Sequence, residues 1–324
     1  MTCKVGGVTQ TFHNIVFGIP EQEIVRCVPE KAFDFALIIP GDWRTYIFGA
    51  DEYEYKRNYR ESYYGYTRKK SGWDCNRHYE ILASGAVPYF TDLHEAPRTV
   101  MSLLPKMLIE EGMRIRGVNA THIDHAAFDY DAYYSIACRT LEYTRRYLST
   151  KAIARYVLEA MGKPHARRVL LLSAKMRSDY MRDMLVHGMR ELLGAGAMDV
   201  PAFDFLYEYP VGILPKEHKK EELYGQGFSY ANRLPRIDVD RENLTARIAA
   251  REFDAIVYGS TAEGGLPFME EVLAHYDPSS IAVINGEDWH GWTKIEDPNY
   301  AQHKLLGKAV HFVRELPDRC PGEA

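Results

Sequence analysis

The sequence predicts an α/β protein of two domains built on parallel sheets, and three observations carry that prediction. At 324 residues the chain has room for two domains of roughly 150 residues, each burying its own core. From about Lys163 onward short apolar runs alternate with stretches of helical periodicity, the pattern of a parallel sheet with helices on both faces. The first 150 residues repeat the same grammar more faintly. A boundary near Gly162 divides residues 1–162 from residues 163–324.

In the second half, RVLLLS (Arg168 to Ser173) reads as a strand. Met181, Met184, Leu185, Met189, Leu192 and Leu193 then recur at helical spacing, behind Ser178 as a cap and before Gly194 as a stop. ENLTARIAAREF follows as helix, DAIVYGS as strand, LPFMEEVLAHY as helix, SIAVING as strand and KAVHFVREL as a final strand. The stretch from Val200 to Asp240, rich in Tyr, Pro, Gly and Lys, reads as irregular, and loops of that length are usually functional or mobile.

In the first half, NIVFGIP and FDFALIIP carry the apolar runs. A Tyr-rich polar helix follows near Asp51 to Ser62, then the short segment YYGYTRKK. NRHYEILASG reads as a helix ended by Gly85, VPYF as a strand and TVMSLLPKMLIEEG as a helix. Two further helices, broken near Ser149 and Thr150, would join the halves.

Apolar residues at 46% and charged residues at 26% are the mix of a globular protein. Forty Lys and Arg against 45 Asp and Glu give a net charge of −5, so phosphate chemistry must come from local clusters rather than from the whole surface. Five cysteines (Cys3, Cys27, Cys75, Cys138, Cys320) without a CxxC pair suggest neither a disulfide framework nor a zinc site, which fits a reducing compartment. The N-terminus lacks the apolar run of a signal peptide and no uncharged apolar stretch reaches about 18 residues. The expectation is a cytoplasmic protein without an integral membrane segment.

The stretch Tyr63 to Phe90, YYGYTRKKSGWDCNRHYEILASGAVPYF, is the richest in chemistry. Thr67, Arg68, Lys69 and Lys70 precede a turn at Gly72, Asp74 stands at the expected helix cap, and Arg77, His78 and Glu80 fall in the first turns. A helix start with free amides beside guanidinium and ammonium groups suits a diphosphate, and a carboxylate one turn further in suits ribose hydroxyls. The plainer alternative is a solvated basic loop and an exposed Glu80.

KKSGWDCNRHYEILASGAVPYF resembles the donor-site signature of GT-B glycosyltransferases, particularly the exostosin-like and CgeB-like groups. Glu80, Ser84, Gly85, Pro88 and Phe90 meet the family pattern. The resemblance implies two Rossmann-like domains facing across a cleft, with a nucleotide diphosphate sugar held mainly by the domain that carries the motif and with no metal required. In the usual chain that domain comes second, whereas here its signature ends by Phe90. HFVREL near the C-terminus leads naturally into NIVFGIP near the N-terminus, so the halves are expected in circularly permuted order, with Phe12 and Phe312 close together.

In the second half, polar residues just past strand ends face the cleft of a parallel sheet. They are Ser173, Lys175, Ser178 and Asp179; Ser260 to Gly265; and Glu287, Asp288 and His290. Either carboxylate, or His290, is a candidate base for an acceptor hydroxyl, with Asp179 and Glu263 next in line; the alternative is a helix cap and a surface salt bridge. Asp129-Tyr130-Asp131 and Asp238-Val239-Asp240 match a metal-binding DxD pattern but precede helices, where Asp caps. His122 and His125 lack a third ligand nearby in sequence. Tyr53, Tyr55, Tyr59, Tyr63, Tyr64 and Tyr66 are expected to cover the surface and part of the core, with Tyr59 and Tyr63 on one helical face.

The predicted function is transfer of a sugar from a nucleotide diphosphate sugar to an acceptor hydroxyl on a glycan, glycoprotein, lipid-linked molecule or nucleic acid. Asp288, Glu287 and His290 are the candidate catalytic residues; Thr67, Arg68, Lys69, Lys70, Asp74, Arg77, His78 and Glu80 are the candidate donor-binding set. A nucleotide-sugar epimerase and a non-catalytic sugar-nucleotide binding protein are the alternatives, since one fold hosts many activities.

Overall fold

The computed structural model describes residues 1–46, 49, 51–209, 223–259, 265–288 and 294–321. It is a mixed α/β structure with a seven-stranded, mostly parallel sheet and a three-stranded parallel sheet. In chain order the elements begin with β1 (Thr2–Val5), β2 (Val8–Asn14), β3 (Phe33–Phe35), α1 (Glu52–Arg60), β4 (Ser62–Thr67), α2 (Asn76–Ala83) and β5 (Val87–Phe90). Three helices follow, α3 (Lys106–Met113), α4 (Tyr130–Tyr147) and α5 (Thr150–Ala160). The remainder is β6 (Val169–Leu172), α6 (Tyr180–Leu193), β7 (Ala197–Val200), α7 (Leu244–Ala249), β8 (Ala255–Tyr258), α8 (Met269–His275), β9 (Ile281–Asn285) and β10 (Val310–Val313).

The large sheet runs β1-β2-β10-β9-β8-β6-β7, and only β1 is antiparallel to its neighbour. Its central strands β6, β8 and β9 are buried on both faces. Val169 and Leu171 of β6, Val257 of β8 and Ile284 of β9 pack with α5 and α6, while Leu170, Leu172, Ile256 and Val283 pack with α7 and α8. Strand side chains alternate with period two, so a strand buried on both sides must be apolar throughout. That is why VLLL, AIVY and IAVIN were legible as strands. The order β7-β6-β8-β9-β10 is Rossmann-like and reverses between β6 and β8, the point at which open α/β sheets place ligands.

The strand that continues the sheet beyond β10 comes from the other end of the chain. Phe12 pairs with His311, and His13 with Phe312, so the expected closeness of Phe12 and Phe312 is met. Residues 1–14, grouped by sequence with the donor half, are thus strands of the large sheet. The apolar run NIVFGIP is not itself a strand: β2 stops at Asn14, and Phe17 turns inward to donate its amide to Asp74 at 3.1 Å. The hairpin joining β1 and β2 turns on Gly6 and Gly7, both at positive φ (55° and 82°), as a two-residue hairpin of this twist requires.

The small sheet, β3-β4-β5, has three strands rather than a full Rossmann set. Tyr59 is buried on α1, whereas Tyr63 already belongs to β4 because the helix ends at Arg60, so the two do not share a helical face. α4 packs on this sheet through Tyr133, Ile136 and Ala137, and α5 packs on the large one through Ile153 and Val157. The break between them is made by Ser149, whose hydroxyl accepts from the Ala152 amide at 3.2 Å.

Other expectations shift in detail. Asp179, not Ser178, caps α6, accepting from the Arg182 amide at 2.9 Å. β7 follows Gly194 after a single turn, too soon for the sequence pattern to separate it from the helix. Asp129 caps α4; Asp240 instead accepts from the Glu242 amide, and α7 starts later, after Asn243. The absence of CxxC motifs hid a disulfide between Cys3 and Cys320, whose 317-residue separation is closed by β1 and the tail after β10; Cys27, Cys75 and Cys138 are free. No helix among the described residues is long and apolar enough to cross a membrane.

The α5–α6 contact is tight at Gly188, where an added Cβ would lie 2.1 Å from the Thr150 carbonyl oxygen. Gly188→Ala should therefore lower stability by about 1–3 kcal/mol through overpacking, read as a lower urea midpoint. A midpoint equal to wild type would mean the two helices separate freely.

Candidate functional site

A cavity of about 810 Å³ lies between the two sheets, the size of a nucleotide or cofactor site. Its lining comes off the carboxyl ends of β4 (Lys70), β6 (Lys175, Arg177), β9 (Gly286 to Asp288) and β10 (Arg314), together with the starts of α2 and α6. Both helices present the positive ends of their dipoles to it.

The turn into α2 is built by a carboxylate from the other sheet. Glu315 accepts from the Trp73 amide at 3.0 Å and from the Asp74 amide at 2.8 Å. A Cβ on Gly72 would lie 2.5 Å from Glu315 Oε1 and 2.8 Å from Asp288 Oδ1, so a side chain there would have to displace two carboxylates. Beside them Arg314 donates to the Gly286 carbonyl at 2.9 Å, to Asp288 at 2.5 Å, to Glu315 at 3.1 Å and to the Asp74 carbonyl. Asp74 does not cap α2 as expected, since the N-cap position falls on Cys75; it is only 2% exposed and accepts from the Phe17 amide and the Tyr79 hydroxyl. Burial raises its pKa to about 7, against the pull of Arg314 and of the Tyr79 hydrogen bond.

Arg77 reaches the cavity from the first turn of α2. One guanidinium nitrogen, Nη2, donates to the Tyr46 hydroxyl at 2.8 Å, while the other, Nη1, is buried without a partner. The Tyr46 ring lies 5.9 Å from both the Arg77 guanidinium and the Lys70 ammonium. Glu80, one turn on, is buried and accepts from Tyr55 at 2.6 Å, Asn76 at 3.1 Å and Ser229 at 3.1 Å. Burial raises its pKa, opposed by the Tyr55 hydrogen bond and by Lys56 and Arg77.

Of the expected donor-binding set, Lys70, Asp74, Arg77 and Glu80 line the cavity and Thr67, Arg68, Lys69 and His78 do not. Thr67 and His78 are buried against each other, with the hydroxyl and Nδ1 2.7 Å apart and Nε2 2.8 Å from the Trp73 carbonyl. Burial lowers the pKa of His78 to about 3, so it is a neutral brace for the turn rather than a phosphate contact. The run RKK lies just past the end of β4, and Lys70 is already in the bend that donates its amide to the Gly72 carbonyl. Arg68 packs against Gly41 and the Lys69 ammonium lies 5.1 Å over the Trp73 ring, leaving Lys70 to the cavity.

On the opposite wall, Lys175 and Arg177 sit on a loop shaped by Arg182, which is fully buried. Arg182 donates to the Lys175 carbonyl at 3.1 Å and to the Arg177 carbonyl at 2.5 Å, and pairs with Asp183 at 2.7 Å. Glu287 and Asp288 both line the cavity, as expected of GED after its strand. Glu287 pairs with Lys294 at 3.2 Å and Asp288 with Arg314. His290 and Glu263 lie outside the described residues, as does Ser260 to Gly264. His125 pairs with Asp34 at 2.8 Å, and no cluster of three or more His, Cys, Asp or Glu among the described residues is placed to hold a metal ion.

Sequence reasoning passed over Arg314 and Glu315, although they follow a strand end just as GED does. It also passed over Tyr46 and Gln226, which lie in irregular segments without a periodic signal. The arrangement offers hydrogen-bond donors and positive charge on both walls for an anion, with carboxylates between them able to accept a proton. No protein-family model, curated protein or solved structure matches the chain.

Asp74 binds a proton more tightly in the folded protein than in the unfolded chain, whose carboxyl has the ordinary value of 3.8. Its contribution to stability therefore falls as pH rises from about 4 to about 7. Asp74→Asn, neutral throughout, should flatten that decline by about 2 kcal/mol between pH 5 and 7, at roughly 1.36 kcal/mol per unit. Urea unfolding of both proteins across this interval checks it, and parallel curves would remove Asp74 as the source.

Proposed function

We propose that the chain is a glycosyltransferase that moves a sugar from a nucleotide diphosphate sugar to an acceptor hydroxyl, with its two lobes in a permuted GT-B arrangement. One observation carries the reading: a cavity at the carboxyl ends of both parallel sheets holds a buried, unpartnered guanidinium N–H at the start of a helix, on Arg77. Such a group calls for an anionic oxygen. The N-terminal β2 standing beside the C-terminal β10 supports the permuted order, and the matched residues from Glu80 to Phe90 support the family.

In this reading the acceptor oxygen attacks the anomeric carbon, the bond to the diphosphate breaks, and the acceptor proton passes to a carboxylate. Arg77, Lys70 and the amides opening α2 meet the charge that develops on the leaving diphosphate. Glu80 accepts three hydrogen bonds, and a carboxylate has about four lone-pair positions, which leaves one for a ribose hydroxyl. Asp288 is the preferred base over Glu287, because its side chain is 43% exposed against 13%. Thr67, Arg68, Lys69 and His78, which do not line the cavity, drop out of the donor-binding set in this reading.

Arg77→Ala should weaken nucleoside diphosphate binding by about 1.5–3 kcal/mol, the range for a charge-assisted hydrogen bond, as measured by titration calorimetry. Asp288→Asn should slow sugar transfer or donor hydrolysis about 100-fold and leave diphosphate affinity nearly unchanged, with Glu287→Gln as the companion variant. Unchanged affinity in the first, or unchanged turnover in both of the others, would defeat the corresponding assignment.

A further inference from the structure

Among the described residues, two that line the cavity carry a buried side-chain atom without a hydrogen-bond partner: Arg77 at Nη1 and Gln226 at Oε1. They complement one another. The guanidinium only donates, so its missing partner is an acceptor; the carboxamide oxygen only accepts, so its missing partner is a donor. A buried polar atom left unpaired is costly, and two such atoms on one cavity describe a ligand with an anionic oxygen and a hydroxyl.

The backbone at Gln226 points the same way. Its φ is +59°, between Gly225 at +56° and Gly227 at +67°. A side chain is disfavoured there and glycine is not. Strained non-glycine positions persist where the surroundings hold them and cluster at ligand sites. The surroundings are on both sides. The Tyr180 hydroxyl at the start of α6 donates to the Gly225 carbonyl at 3.3 Å. Beyond Gln226, Phe228 lies 5.2 Å from the Tyr55 ring, Ser229 donates its amide to Glu52 at 2.8 Å, and its hydroxyl donates to Glu80. Residues 225–229 thus bridge from α6 to α1 and α2, and fix Gln226 on the cavity.

We propose that Gln226 is a specificity-determining residue that hydrogen-bonds a hydroxyl of the sugar carried by the nucleotide diphosphate, while Arg77 holds the diphosphate. This rests on the proposed reading of the cavity as a nucleotide-sugar site. It assigns the two ends of one ligand to two lobes of the protein: the phosphates to α2, the sugar to the bridge.

The test is titration calorimetry of wild type, Gln226→Leu and Gln226→Gly with UDP, GDP, ADP, dTDP and CDP and with their glucose esters. Gln226→Gly keeps the left-handed backbone accessible while removing the side chain, and Gln226→Leu keeps apolar bulk while removing the carboxamide. For the base that wild type prefers, both variants should bind the glucose ester about tenfold more weakly, the scale of one hydrogen bond, and the free diphosphate as wild type does. Equal losses for ester and diphosphate, or no loss for the ester, would overturn the assignment of Gln226 while leaving the nucleotide site in place. Failure of wild type to bind any of the ten compounds would overturn the nucleotide reading, and the Gln226 proposal with it.

Discussion

Arg314 leaves the last strand of the large sheet with its guanidinium almost wholly removed from water. An ion sealed in this way is tolerated only when its protons are all spoken for, and removing a partner from such a group costs about 3–5 kcal/mol. Here the partners come from three places: the Gly286 carbonyl and Asp288 after β9, Glu315 beside it, and the Asp74 carbonyl before α2. Glu315 in turn holds the Trp73 and Asp74 amides. Helix α2 beside the small sheet therefore begins where the large sheet's last strand ends, and the two walls of the cavity are held in register by one cation and one carboxylate.

The remaining polar joints are arranged around the same cavity. Arg182 organises the loop of Lys175 and Arg177 from beneath, through carbonyl oxygens rather than through the side chains that face the cavity. His78 braces the opposite turn from behind, neutral and hidden. In both cases a buried group fixes the backbone, and the residues exposed to the cavity are left with their charges unspent. That division explains why neighbouring residues of one basic run, Lys69 and Lys70, end in different places.

The sequence revealed most where burial imposes a pattern. VLLL, AIVY and IAVIN are buried on both faces and so could only be apolar; the helix from Tyr180 to Leu193 carries its apolar stripe between a cap and a glycine. β2 escaped because VTQTFHN, the sixth parallel strand of the sheet, is only partly buried and alternates with polar residues, while the apolar run beside it packs in the interior outside any strand. At the site, Asp74, Arg77, Glu80 and Asp288 were legible from helix starts and strand ends. Whether a given cation faces the cavity was not, since that depends on the path of an irregular segment, and neither was Gln226, whose significance lies in a backbone conformation that composition does not encode.

The pairing of β2 with β10 joins residues separated by nearly the whole chain, Phe12 with His311. Loop closure over such a distance is paid in entropy before the contact returns anything, and non-local pairings of this kind slow folding. During synthesis the strands between Phe33 and Phe90 are all present early and can pair while the rest is still being made. The N-terminal hairpin must wait for the last strand to leave the ribosome. Until then β2 presents an open edge, the kind of surface that natural proteins protect from mispairing.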